Sequence, residues 1–85
     1  MGYKIEFTRR AVRDLESLTA SERQRVGRRI DALSANPRPH GIRKLHGAEE
    51  MYRIRVGDYR VIFSITDRKL LILVIRVGNR KDIYE

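Results

Sequence analysis

Tyr52-Arg53-Ile54-Arg55-Val56-Gly57-Asp58-Tyr59-Arg60-Val61 alternates apolar and cationic side chains at the two-residue period of a strand, on both sides of Gly57-Asp58. Gly-Asp between two such runs suits a two-residue hairpin turn. The register predicted from that turn sets Val56 opposite Tyr59, Arg55 opposite Arg60, Ile54 opposite Val61 and Arg53 opposite Ile62. One face of the hairpin can then enter a core while Arg53, Arg55 and Arg60 share the other. Like charges directly opposite one another destabilise a sheet by about 0.2–1 kcal/mol per pair, so Arg55 beside Arg60 makes little sense as a sheet-stabilising pair. An anionic ligand would relieve the repulsion. A solvated arginine face is the ordinary alternative.

Downstream, Thr66-Asp67-Arg68-Lys69 reads as a turn and residues 70–77 as a last strand. That strand is apolar at nearly every position, which predicts a central place covered on both sides and leaves its register open. Gly78 is expected to allow an abrupt change of direction, delivering Arg80, Lys81 and Tyr84 near the arginine face.

Upstream, Tyr3-Lys4-Ile5-Glu6-Phe7 alternates and predicts a short first strand with Tyr3, Ile5 and Phe7 inward. Thr8 can cap a helix over residues 9 to about 18, with Ala11, Leu15 and Leu18 as its apolar stripe. Thr19-Ala20-Ser21-Glu22 has capping-box spacing and starts a second helix at once. Val26, Ile30 and Leu33 form the buried face of this helix, Arg23, Arg25, Arg28 and Arg29 populate its other faces, and Asn36-Pro37 ends it. Residues 38–50 carry both histidines, two glycines and the second proline, and read as an exposed loop.

The expected fold class is therefore α+β. An N-terminal strand and an antiparallel helix hairpin pack on a small, mainly antiparallel sheet that ends in a C-terminal β-meander. The 85 residues form one small domain over positions 1–85, able to bury only about 60% of its unfolded surface, so a deep multilayer enzyme is not expected. Without cysteine there is no disulfide framework, thiolate metal site or thiol nucleophile, and an intracellular compartment is the simpler reading. Neither a signal-peptide core nor a membrane-spanning run is expected, since the N-terminus goes straight into an amphipathic pattern and the longest apolar run, residues 70–75, is far too short to cross a bilayer. A net charge of +8, mostly from arginine, points to a nucleic acid or an acidic protein partner, because the guanidinium fork matches phosphate bidentately.

A cluster of arginines and a tyrosine can cleave RNA without a metal or cofactor, because the ribose 2′-hydroxyl is the nucleophile and the enzyme's main task is to stabilise charge at phosphorus. Arg53, Arg55, Arg60, Arg80 and Tyr84 are the candidate catalytic residues. Tyr84 could stack on a base or, acidified by neighbouring arginines, accept a proton. His40 and His46 are the alternative acid and base; their spacing matches no zinc pattern. Arg23, Arg25, Arg28, Arg29, Arg43, Lys44 and Lys81 are candidate RNA or ribosome contacts.

With Lys44-Leu45-His46-Gly47, Tyr52-Arg53-Ile54-Arg55, Gly57-Asp58-Tyr59-Arg60-Val61-Ile62-Phe63 and Val77-Gly78-Asn79-Arg80 before Tyr84, the chain resembles the RelE/ParE toxin superfamily of prokaryotic toxin-antitoxin systems. The resemblance implies a cytoplasmic toxin held by a cognate antitoxin. RelE-type members are implied to enter the ribosomal A site and cut messenger RNA by 2′-hydroxyl attack; ParE-type members poison DNA gyrase. The tail is similar to the RelE type. By that resemblance Arg60 matches the family's transition-state arginine, Arg80 the arginine near the leaving group and Tyr84 the base-stacking tyrosine. Arg53 and Arg55 stand where well-known RelE members have lysines, which favours charge stabilisation over proton transfer.

Overall fold

A computed structural model describes residues 2–47, 50–79 and 81. The elements run β1 (Lys4–Phe7), α1 (Arg9–Glu16), α2 (Ala20–Ala32), β2 (Arg43–Lys44), β3 (Met51–Val56), β4 (Tyr59–Thr66), a single 3₁₀ turn (Asp67–Lys69) and β5 (Leu71–Asn79). The strands form one sheet in the order β1-β5-β4-β3-β2, antiparallel throughout except that β1 lies parallel to β5. This is the α+β architecture expected from the sequence, with both helices on one face.

The β3–β4 hairpin has the predicted register, from Val56 opposite Tyr59 through Arg53 opposite Ile62. Gly57 occupies a left-handed φ of +62°, and the Arg25 guanidinium lies where a Cβ at this position would stand. The turn's left-handed φ is what favours glycine here; the Arg25 guanidinium laid across it is the end of a flexible side chain and can move aside.

Ile54 and Val56 of β3, Val61, Phe63 and Ile65 of β4, and Ile72, Val74 and Val77 of β5 form the core face. Ala11 and Leu18 cover it from the first helix and the residues after it, and Val26, Ile30 and Leu33 from the second. Tyr52 stacks on Phe63 with ring centroids 6.1 Å apart. Thr8 caps α1 through the Ala11 amide, and the Thr19–Glu22 capping box is formed in both directions.

The structure corrects several boundaries and placements. Both helices stop short of their sequence signals, α1 at Glu16 and α2 at Ala32. Arg23 helps to explain the first: it donates to the carbonyls of Leu15, Glu16 and Leu18 and so satisfies groups that a longer helix would have bonded internally. Phe7 is 40% exposed, because β1 is an edge strand whose end the helices leave uncovered. The loop over residues 38–50 contains a strand: Arg43 and Lys44 pair with Arg53 and Tyr52. Leu70 adopts a left-handed φ of 49° after the 3₁₀ turn and is exposed, so β5 begins at Leu71. β5 lies between two strands but is not covered on both faces, as Leu71 and Leu73 remain half-exposed. Its alternation is interrupted by a bulge, with Ile62 facing Arg76 and Phe63 facing Val74. Gly78 does not turn the chain. It continues β5 opposite Arg60, and at the end of the strand the Asn79 side-chain oxygen accepts from the Lys81 amide at 3.0 Å.

Two polar clusters tie the helices and the loop to the sheet, and both make stability depend on pH. The Tyr59 hydroxyl donates to Glu22 at 2.6 Å, which with the Thr19 backbone holds the Glu22 carboxyl below its usual range. Arg38 forks onto Asp67, and Tyr3 donates to the same carboxylate at 2.7 Å, so Asp67 is held low as well. A carboxyl depressed in the folded state stabilises above its unfolded pKa of about 4, and the contribution disappears as pH falls through the folded value. Tyr59 and Tyr3 are raised, chiefly by these same hydrogen bonds, so their contribution holds below about pH 10 and is lost as pH rises through the folded values. The melting temperature is therefore expected to be flat near neutrality and to fall on both sides. Glu22→Gln should flatten the acid limb; an unchanged acid limb in a melting series would refute this assignment.

Candidate nucleic-acid interface

The face of the sheet away from the helices is where the arginines gather. Alternation along β3 and β4 sends Ile54, Val56, Val61 and Phe63 to the core and therefore Arg53, Arg55, Arg60 and Ile62 to the other side. The short β2 adds Arg43, directly across from Arg53. Two like-charge pairs thus stand side by side, Arg43 with Arg53 and Arg55 with Arg60. Like charges directly opposite one another repel by about 0.2–1 kcal/mol per pair, so the face is suited to an anion.

Burial sharpens the electrostatics. Ile62 is only 5% exposed although it belongs to this face, and it lies across from Arg53 and two residues from Arg60. The Nε atoms of Arg53 and Arg60 are themselves buried. Guanidinium groups rooted on an apolar floor act through a lower local dielectric than solvated ones, so an arriving phosphate would be held more strongly than on an open charged surface. On the β5 side, Gly78 stands opposite Arg60 and contributes no side chain there.

The structure divides the residues singled out in the sequence. Arg53, Arg55 and Arg60 come together, and Arg43 joins them. Arg28 and Arg29 are exposed on α2, on the opposite side of the sheet. Arg25 lies over the hairpin turn and Arg23 caps α1. Lys44 is exposed on β2, at the position across from Tyr52, and Lys81 is exposed beyond the end of β5. His40 and His46 are exposed in the loops flanking β2. Arg80 and Tyr84 lie outside the described residues.

Sequence reasoning missed the contributions of Ile62 as a buried floor and of Gly78 as the partner of Arg60. Extending the hairpin register toward residue 78 would have suggested the second, but a bulge in β5 shifts that count by one. A cleft of about 530 Å³ also opens between α1 and the end of β5, lined by Arg10, Asp14, Tyr59, Arg76 and Asn79 among others. Gly78, which stands opposite Arg60, also lines it, and its one carboxylate, Asp14, is engaged by Arg10 and Arg76.

Comparison with known proteins supplies context for this geometry. A family model described as ParE toxin of type II toxin-antitoxin system, parDE, matches residues 5–84. The chain is 31% identical to toxin RelE3 of Methanocaldococcus jannaschii, over 96% of each chain. It is 28% identical to the mRNA interferase toxin RelE of Escherichia coli, over 95% of this chain and 86% of that one. Among solved structures, the archaeal RelE-RelB complex from Pyrococcus horikoshii superposes with a TM-score of 0.84 at 30% identity, covering 98% of this chain and 100% of the other.

Proposed function

Since the chain belongs to the ParE toxin family of type II toxin-antitoxin systems, within the RelE/ParE superfamily, we propose that it is a RelE-type toxin that cleaves messenger RNA on the ribosome. The observation that carries this reading is the arginine face: Arg43, Arg53, Arg55 and Arg60 stand opposite one another in like-charge pairs around a buried Ile62. Such a face is stabilised by a bound polyanion, and the E. coli relative is an mRNA interferase.

In the proposed reaction the ribose 2′-oxygen forms a bond to the adjacent phosphorus as the bond from phosphorus to the 5′-oxygen breaks. Negative charge accumulates on the phosphoryl oxygens in the pentacoordinate transition state, and preorganised guanidiniums are placed to receive it. Arg60 is the central donor, with Arg53 and Arg55 extending the field and Arg80 assigned to the leaving 5′-oxygen. Proton transfer falls to other groups, because arginine stays charged at any relevant pH. Tyr84 or a ribosomal group takes the 2′-hydroxyl proton, and the leaving 5′-oxygen takes a proton from water or a ribosomal group. Arg43, Lys44 and Lys81 bind the flanking backbone of the message or ribosomal RNA.

The toxin acts in the cytoplasm, where its message and ribosomes are. A cognate antitoxin restrains it, as the RelE-RelB complex suggests, and a net charge of +8 would steer an acidic segment to it. Adding the purified protein to a translating extract and mapping message ends by primer extension tests the proposal. Discrete new ends within translated codons are expected; intact message at concentrations that arrest growth would overturn it. The chain matches a ParE toxin model, and the resemblance to ParE-type members implies a second reading, gyrase inhibition. Loss of plasmid supercoiling with uncut message would identify that activity.

A further inference from the structure

β1 pairs with β5 only from Leu71 to Val74, so among the described residues the outer edge of β5 beyond Val74 has no strand partner in the sheet. At that point Ile75 is the extra residue of the bulge. A bulge and a free edge together would leave backbone groups unpaired beside the core. Side chains of α1 and its cap take two of them. The Thr8 hydroxyl donates to the Ile75 carbonyl at 2.8 Å while accepting from the Ala11 amide at 3.0 Å, so one hydroxyl serves the helix and the bulge together. Asp14 accepts from the Val77 amide at 2.8 Å and from Arg76 Nε at 3.2 Å through the same Oδ2, and its other oxygen faces Arg10.

The register that this clamp holds decides what stands next to Arg60. With the bulge, Gly78 is opposite Arg60 and Val77 opposite Val61. Without it, continuing the pairing from Phe63 with Val74 would put Val77 opposite Arg60 and Arg76 opposite Val61. A one-residue slip would crowd the guanidinium with an isopropyl group and turn an arginine toward the core. We infer that Asp14 and Thr8 are positioning residues for the cleavage site, acting through the β5 bulge to keep Gly78 opposite Arg60. This rests on the reading of the arginine face as the site of message cleavage.

The test compares Asp14→Ala, Asp14→Asn, Thr8→Val and Thr8→Ser with Val26→Ala, a core substitution in α2 that destabilises without touching the bulge. Each purified variant is scored for melting temperature, amide hydrogen exchange at Val77 and Gly78, and kcat and KM for message cleavage on programmed ribosomes. Asp14→Ala is expected to speed exchange at Val77 and lower kcat about tenfold or more with KM little changed, since small misplacements of a catalytic group are costly in rate. Asp14→Asn should fall between, because its carbonyl oxygen still accepts from the Val77 amide, and Thr8→Ser should restore what Thr8→Val loses. Val26→Ala should retain kcat at a matched loss of melting temperature. Faster exchange at Val77 with kcat no lower than in Val26→Ala would overturn the inference. If Asp14→Ala does not fold, the asparagine variant and the Thr8 pair decide in the same way. A wild-type protein that cuts no message refutes the cleavage reading and this role with it; an active wild type with a fully active Asp14→Ala removes the positioning role alone.

Discussion

Arg60→Ala is expected to lower message cleavage by about a hundredfold to a thousandfold, the range typical of removing one preorganised donor from a transition-state anion site. Arg60 is half-buried on β4, faces Arg55 across the hairpin and Gly78 across the bulged strand, and is flanked by the buried Ile62. Its loss removes charge where the reacting phosphate would sit and cannot be made good by water on a floor of that kind. Folding should not suffer in proportion, because the substitution also relieves repulsion with Arg55. Arg60→Lys should keep part of the activity: it preserves the charge but loses the planar fork that grips two phosphate oxygens at once. Single-turnover cleavage on programmed ribosomes, read alongside thermal melting, separates the two effects. Wild-type cleavage by Arg60→Ala would remove this residue from the reaction.

Phe63→Ala is expected to be the most damaging change to the fold, costing about 3–5 kcal/mol. Phe63 is fully buried, stacks on Tyr52 and pairs across the sheet with Val74 at the bulge. Truncating it leaves a cavity beneath the hairpin that the small core can fill only in part. A domain of this size has on the order of 5–15 kcal/mol of stability in total, and each kcal/mol moves its midpoint by roughly 4–8 °C, so a fall of well over 10 °C should appear in a circular-dichroism melt. Phe63→Leu should recover most of the loss by refilling the volume. A drop of only about 2 °C for the alanine variant would mean that the site collapses around the gap and that Phe63 is not the keystone of the hairpin.

These two residues also show why sequence reading succeeded where it did. The β3–β4 register followed from two local facts, a Gly-Asp turn and a strict two-residue alternation on each side, and the observed pairs are the expected ones from Val56 with Tyr59 to Arg53 with Ile62. Capping is equally local, and the Thr19–Glu22 box sits where its spacing placed it. The arginine face was legible in part for the same reason: once the turn is set, parity alone puts Arg53, Arg55 and Arg60 together. Arg43 was visible only as a loop charge. A two-residue strand has no periodicity to read, so nothing marks Arg43 as a partner of Arg53 until β3 is in place beside it.

What local chemistry settles in this chain is the hairpin, the caps and the apolar stripes of the helices, because each depends on residues a few positions apart. Contacts between distant residues set the remainder. The parallel seating of β1 against β5 joins residues at opposite ends of the chain and makes Phe7 an edge residue. The bulge at Ile75 exists only against β4, and the side chains that satisfy it come from Thr8 and Asp14, over 60 positions away. Gly78 therefore faces Arg60 because buried backbone groups must find partners, and in this fold α1 is the element close enough to supply them.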